Sequence, residues 1–334
     1  MKLEEVARRA KVSTATVSRV LNNMDVVRGS TRDRVLKAIK DLNYHPNLHA
    51  RSLAAGKSRT FGVLVSNMEN PFFFDIVCQV EEEAHNCGYE VVVANTNYRP
   101  DQLLKSIRLM TGRRVAGLAV IVSELEPEVT DELLGAKFPV VFYDVGVAGP
   151  HAATIRTNYR EGMYKLAQYL FEQGHKKRIA WVGHHIQLSP LYDRRDALVN
   201  AYALLSPEAE IRTFIGRDSL EGGWQTTHEM LASGFKPTAV VCANDFMAVG
   251  VLRALREENI SVPGEMSVTG VDNIKLSEFC HPTLTTVHVP RDRIGRMVFE
   301  KLVSGTEEGV AQTNDFTIDP ELVTRESSGP ARGE

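Results

Sequence analysis

From residue 59 onward, short apolar runs bounded by turns recur down the chain: "FGVLV", "EVVVA", "GLAVIV", "PVVFY", "RIAWVG", "AVVCA" and "SVTGV". Helical patterns separate them, at Asp75–Asn86, Gln102–Thr111, Arg160–Gln173, Gly223–Ser233, Ala248–Glu258 and Ile294–Val303. Continuous apolar runs mark strands buried on both faces, and their alternation with helices implies parallel sheets covered by helices on each side. The run count is about twice that of one such sheet, so two similar α/β lobes are expected. The chain should cross between them near Thr157-Asn158, Val287–Pro290 and Thr317–Pro320.

Ligands of open parallel sheets collect at the carboxyl ends of the strands, here a cleft between lobes. Several runs end on polar residues. "SNMENPFF" supplies Asn70 to hydrogen-bond and Phe72 or Phe73 to cover an apolar ring face; Asp144 ends "PVVFYD", Asn244-Asp245 ends "AVVCAND" and Asp272-Asn273 ends "SVTGVDN". His288, on a crossover, could face the same cleft. A single Asp after a strand also serves as a helix cap, but several such ends converging on one cleft favour binding.

The first 56 residues have a different character. Leu3 to Ala10 reads as a short helix with Val6, Ala7 and Ala10 on one side; Lys11-Val12 makes a tight turn; Ser13 can cap a second helix with Val17, Val20 and Leu21 as its apolar stripe. The other face of that helix shows Thr14, Ala15, Thr16, Ser18, Arg19 and Asn22. Short donors at a helix start with one guanidinium suit base edges in a major groove, although small amphipathic helical pairs also occur without that role. A third helix, capped by Ser30 or Thr31, would close the core with Val35, Leu36, Ile39 and Leu42, leaving Arg28, Arg32 and Arg34 as candidate phosphate contacts. Asn47 can cap a short helix over Leu48 to Ala55, too short to persist in water unpacked.

Charge follows the same division. The net charge of −3 argues against nucleic acid, yet residues 1–56 carry 11 basic and 5 acidic residues, leaving 28 basic against 37 acidic in the rest. A basic head on an acidic body is an electrostatic footprint for phosphate. No apolar run approaches a membrane span, "MKLEEVARRA" lacks a signal core, and Cys78, Cys87, Cys242 and Cys280 lack zinc or redox spacing. A cytoplasmic chain with buried, reduced thiols and no membrane partner is expected.

"EVARRAKVSTATVSRVLN", continued by "YHPNLHARSLAAG", resembles the DNA-reading headpiece of the lactose-repressor/galactose-repressor family, and the likeness extends more loosely over the whole chain. It implies an all-α helix-turn-helix headpiece with a hinge helix, followed by an α/β two-lobed body like a periplasmic binding protein. The expected boundaries are headpiece 1–46, hinge and linker 47–58, and body 59–334. Lobe 1 would hold 59–157 and 290–318, and lobe 2 158–289 and 319–334. The resemblance makes Leu53, beside Arg51, the wedge that a paired hinge helix drives between base pairs, and Arg194 the residue that grips the effector. Departures are visible. Lys2 stands where the family usually has a capping Thr, and Lys11 where it has a turn Gly. Val145 replaces an Arg, Asp218 an aromatic, and Asn158-Tyr159 an Asp-Asn pair.

The function implied is a sequence-specific regulator, most simply a repressor, reading a near-palindromic duplex as a homodimer under control of a small molecule. Asp144, Asp218, Asp245 and Asp272 against Arg194 favour a neutral sugar. A transporter's solute-binding protein would explain the body but not the basic head, and would need an export signal. An enzyme would need machinery that is missing: there is no G-x-G-x-x-G after a strand, no G-x-x-x-x-G-K-[ST], no G-x-S-x-G and no H-E-x-x-H. No cofactor or metal is expected.

Overall fold

The computed structural model describes residues 3–21, 26–44, 58–146, 149–184, 190–308 and 315–332. The chain divides into two compact units, Met1–Ser58 and Arg59–Glu334.

The first unit holds α1 (Leu3–Ala10), α2 (Thr14–Leu21) and α3 (Gly29–Asp41). Val6, Ala7 and Ala10 pack with Val17, Val20, Val35 and Ala38 in a small core. Ser13 caps α2 as the sequence implies, its Oγ accepting the Thr16 N–H at 3.2 Å. Two expectations for α3 fail. Its first turn is opened by the Arg28 carbonyl, which accepts from the N–H groups of Thr31 and Arg32, so neither Ser30 nor Thr31 acts as the cap. Leu36 is half-exposed; the buried stripe runs Val35, Ala38, Ile39, Leu42, the i, i+3, i+4, i+7 spacing from which Leu36 stands about 100° away.

Lys11 joins α1 to α2 in the left-handed region, with φ of 52°. A Cβ there is strained, and glycine would relieve it. Lys11→Gly should stabilise the headpiece by about 1 kcal/mol, read as a rise in its thermal midpoint.

The body starts with β1 (Thr60–Val65), α4 (Pro71–Asn86), β2 (Glu90–Asn95), α5 (Pro100–Gly112), β3 (Gly117–Ile121), α6 (Pro127–Leu134), β4 (Val140–Tyr143) and β5 (Ala152–Thr157). It continues through α7 (Tyr159–Glu172), β6 (Arg178–His184), α8 (Pro190–Leu205), β7 (Glu210–Gly216), α9 (Leu220–Ala232), β8 (Ala239–Cys242), α10 (Asp245–Glu257), β9 (Ser267–Asp272), α11 (Leu276–Phe279) and β10 (Thr285–His288). The last elements are α12 (Arg291–Glu308), β11 (Asp315–Ile318) and β12 (Glu321–Val323).

Two six-stranded sheets result, ordered β11-β5-β4-β3-β1-β2 and β12-β10-β9-β8-β6-β7. Every pairing is parallel except the edge strand β12, which runs antiparallel to β10. The alternation of buried residues carries the layers. Phe61, Val63 and Val65 of β1 face one side with Ile76, Val80 and Phe299. Leu64 faces the other with Leu103 and Ile107. The chain passes between the sheets three times, after β5, after β10 and after β11, so the lobes share a three-stranded waist.

β7 is an edge strand with no fully buried residue and no apolar run, β10 and β11 are only four residues long, and β5 mixes Thr and Arg with its apolar residues. The cysteines are free, but only Cys242 is fully buried; Cys78 and Cys87 are exposed, on and just after α4. No helix among the described residues is long and apolar enough to cross a membrane.

Candidate functional sites: a recognition helix and an interlobe cleft

On α2, Thr14, Ala15 and Arg19 are exposed, while Thr16 and Ser18 are half-buried. Thr16 is partly committed to the cap, its hydroxyl lying 2.9 Å from that of Ser13. Arg28 is exposed at the start of α3. Asn22, Arg51 and Leu53 lie outside the described residues.

In the body, the carboxyl ends of both sheets meet at a small cleft, the place where open parallel sheets hold ligands. It is lined by Asn70, Phe72, Phe73, Asp144, Arg194, Asp218, Asn244 and Asp272 among the expected residues. Local chemistry sets each in place. Asn70 caps α4, accepting the Phe72 N–H at 3.0 Å, and Asn244 caps α10 through the Met247 N–H at 2.9 Å. Helices α9 and α10, which follow Asp218 and Asn244, touch backbone to backbone: a Cβ on Gly223 would lie 2.1 Å from the Met247 carbonyl oxygen. That contact sets Asn244 against Asp218, with Nδ2 donating to Oδ1 at 2.7 Å.

Arg194 is the hub of one polar cluster. Its Nη1 donates to the Ala243 carbonyl at 2.8 Å and its Nη2 to the Tyr159 hydroxyl at 2.5 Å, with the guanidinium carbon 4.2 Å from the Tyr159 ring centroid. The Tyr159 hydroxyl donates to Asp144 Oδ2 at 2.7 Å, while Asp144 Oδ1 accepts the Thr157 N–H at 2.7 Å. Tyr159, a departure from the family pattern, thus links Arg194 of one lobe to Asp144 of the other. Asp272 Oδ1 stands 3.6 Å from Arg194 Nη1, beyond hydrogen-bond reach, and has no hydrogen-bond partner; neither does Arg194 Nε.

Burial pushes the carboxyl groups up. Asp144 is raised by desolvation against the pull of Thr157, Tyr159 and Arg194. Asp272 is pushed up to about 7 by burial, against Arg194 and Arg291 and reinforced by Asp218 and Asp144. For Arg194, burial is outweighed by Tyr159, Asp272 and Asp144, and the cation is held more firmly than usual. At Asp218, burial is overcome by His184 and by donation from Tyr98, Asn244 and Asn70, so its carboxylate stays charged below the ordinary range. Burial lowers His184 itself, against the pull of Asp218.

The raised Asp272 has a stability consequence. Between the ordinary carboxylate range and about pH 7, the folded chain holds a proton that the unfolded chain has lost. This group's contribution is therefore full at low pH and vanishes as pH rises through about 7. Asp272→Asn should gain several degrees of melting temperature relative to wild type between pH 5 and pH 8, measured as paired melts across that range.

Two expected residues do not line the cavity. Asp245 lies beneath it, fully buried, with Oδ1 accepting from Thr286 at 2.5 Å and Oδ2 from the Ile274 N–H at 2.9 Å. It braces the turn after β9, and burial with Asp272 nearby raises its pKa strongly. His288 turns instead to Asn273, with Nδ1 3.1 Å from that amide nitrogen. The count of four cleft carboxylates therefore falls to three.

Tyr98, Ser123, Tyr143 and His184 also line the cavity and were not anticipated. His184 ends β6, so the strand-end rule applied to Asp144 would have found it. Tyr98 sits in a loop after β2 at φ 57°, and no sequence signal marks it.

The comparisons agree with this architecture. Residues 2–47 match the family model of bacterial regulatory proteins, lacI family, and residues 167–328 match a periplasmic binding protein-like domain. The chain is 35% identical over 333 residues to the HTH-type transcriptional repressor PurR of Vibrio cholerae serotype O1, covering 97% of each. Among solved structures it is similar to the lac repressor dimer bound to operator and the anti-inducer ONPF (TM-score 0.85, 28% identity, 98% of this chain and 99% of that one). It is also similar to a transcriptional regulator CelR–cellobiose complex (TM-score 0.69, 26% identity, 98% and 100%). With its helix-turn-helix unit, its two-lobed body and relatives that are repressors rather than enzymes, the chain belongs to the lacI family of DNA-binding bacterial regulators.

Proposed function

We propose that this repressor works in the cytoplasm as a homodimer on a near-palindromic operator. Its affinity is set by a neutral polyhydroxylated molecule, a sugar, bound between the lobes. The carrying observation is the pair of buried polar atoms without hydrogen bonds in one cleft, the acceptor Asp272 Oδ1 and the donor Arg194 Nε. A buried group left unpaired is costly, and a sugar hydroxyl both donates and accepts. Phe72, Phe73 and Tyr143 supply apolar walls beside them. An anionic ligand would instead compete with Asp272 for the single guanidinium and approach Asp144 and Asp218. The CelR neighbour is itself a cellobiose complex, which supports the reading.

Melting-temperature shifts against saccharides, nucleobases and acidic metabolites, followed by calorimetry, test the reading. A neutral saccharide at a hundredfold excess over its Kd should stabilise the chain by about 2.7 kcal/mol. Binding of nucleobases or acids with saccharides silent would overturn the sugar assignment and leave the regulator standing. Light scattering should show a dimer at micromolar concentration; a monomer bound to operator would contradict the assembly.

A further inference from the structure

Within the same cleft, one carboxylate of the second lobe is encircled by side chains of the first. Asp218, after β7, accepts from Asn67 Nδ2 at 3.3 Å, from Asn70 Nδ2 at 3.4 Å and from the Tyr98 hydroxyl, all on Oδ2. Asn67 Nδ2 also reaches the Asp218 backbone carbonyl at 3.1 Å. The other oxygen, Oδ1, accepts from Asn244 of its own lobe at 2.7 Å. Asn67 and Asn70 belong to the turn after β1 and Tyr98 to the loop after β2, so the donors come from two separate loops. Asp218, Asn67 and Asn70 are buried and Tyr98 is partly buried, and hydrogen bonds to a charged acceptor are roughly twice as strong as neutral ones.

We propose that Asp218 is an internal ligand that bolts the two lobes together across the effector cleft, keeping it closed when no effector is bound. A carboxylate is acceptor-only, and both oxygens are committed to protein donors. Asp218 therefore has little left to offer an effector. It also withdraws Asn67, Asn70 and Tyr98 from effector recognition. The polar groups left for an effector are those of Asp144, Arg194 and Asp272, which favours a compact molecule. Closure does not depend on what that molecule is, so the inference stands whether or not the sugar assignment does.

The test uses the effector-free full-length chain. Asp218→Asn keeps the shape but places an amide donor among the donors. Backbone hydrogen exchange in residues 66–70 and 96–98 should accelerate at least tenfold, and small-angle scattering should show a larger radius of gyration. Tyr98→Phe, which removes one donor and keeps the ring, should move both readouts in the same direction by less. Exchange and radius unchanged in both variants would overturn the bolt. So would acceleration confined to residues 217–220, which marks a brace within one lobe. If Asp218→Asn fails to fold, Tyr98→Phe and Asn67→Ala carry the test, and wild-type exchange in both would overturn the proposal.

Discussion

Replacing Arg194 by Ala is expected to cost the body about 3–5 kcal/mol, the penalty of leaving buried charge partners behind when one member is removed. Arg194 is 8% exposed; its guanidinium donates to the Ala243 carbonyl and the Tyr159 hydroxyl and stands 3.6 Å from the Asp272 carboxylate. Without it, Asp272 and Asp144 lose the cation that opposes their burial, and both carboxyl groups rise further. The loss should therefore be greatest at high pH and shrink toward pH 5, where protonation removes the stranded charge. Arg194→Lys should recover only part of it, because an ammonium cannot reproduce the fork that donates to two acceptors while standing beside Asp272. Denaturant unfolding of the three proteins at pH 5 and pH 8 checks the order and its pH dependence. A variant as stable as wild type at pH 8 would show that the cleft does not rely on this cation.

Arg19→Ala should cost about 1–3 kcal/mol on the preferred operator and relax base preference at one position per half-site. Arg19 is exposed on the last turn of α2, so the headpiece should melt at an unchanged temperature. That separates readout from folding. Selection of binding sites from a random duplex pool by wild type and variant measures the effect, and identical selected sequences would show that another face of the headpiece reads the bases. Lys and Arg on α3 should behave differently, lowering affinity evenly across sequences and reducing its salt dependence.

What the sequence disclosed follows from how local each signal is. The strands "FGVLV", "GLAVIV" and "AVVCA" are buried on both faces, so composition alone marks them. β7, a sheet-edge strand with no fully buried residue, and the three-residue β12 have no such mark. Residues that end a strand and cap the next helix, such as Asn244, are legible because capping is local. The division of labour among carboxylates is not. Asp144, Asp218, Asp245 and Asp272 all follow strands, yet Asp245 braces a turn, Asp218 binds the opposite lobe and Asp272 is left without a hydrogen-bond partner on Oδ1. Partners as far away as Asn67, 151 residues from Asp218 in sequence, decide those roles, and only the assembled cleft brings them together.

Occupancy of the cleft is expected to change the affinity of the headpiece for DNA. Such coupling requires the effector to bind two arrangements of the body unequally. The direct measurement is fluorescence anisotropy of a selected operator duplex titrated with the full-length chain, with and without the saccharide identified by the melting screen. The operator Kd of wild type should shift by at least about fivefold. Asp272→Ala should bind the operator in the absence of saccharide but show no shift. A saccharide that binds by calorimetry yet leaves the wild-type operator Kd unchanged, or an equal shift in Asp272→Ala, would contradict the account.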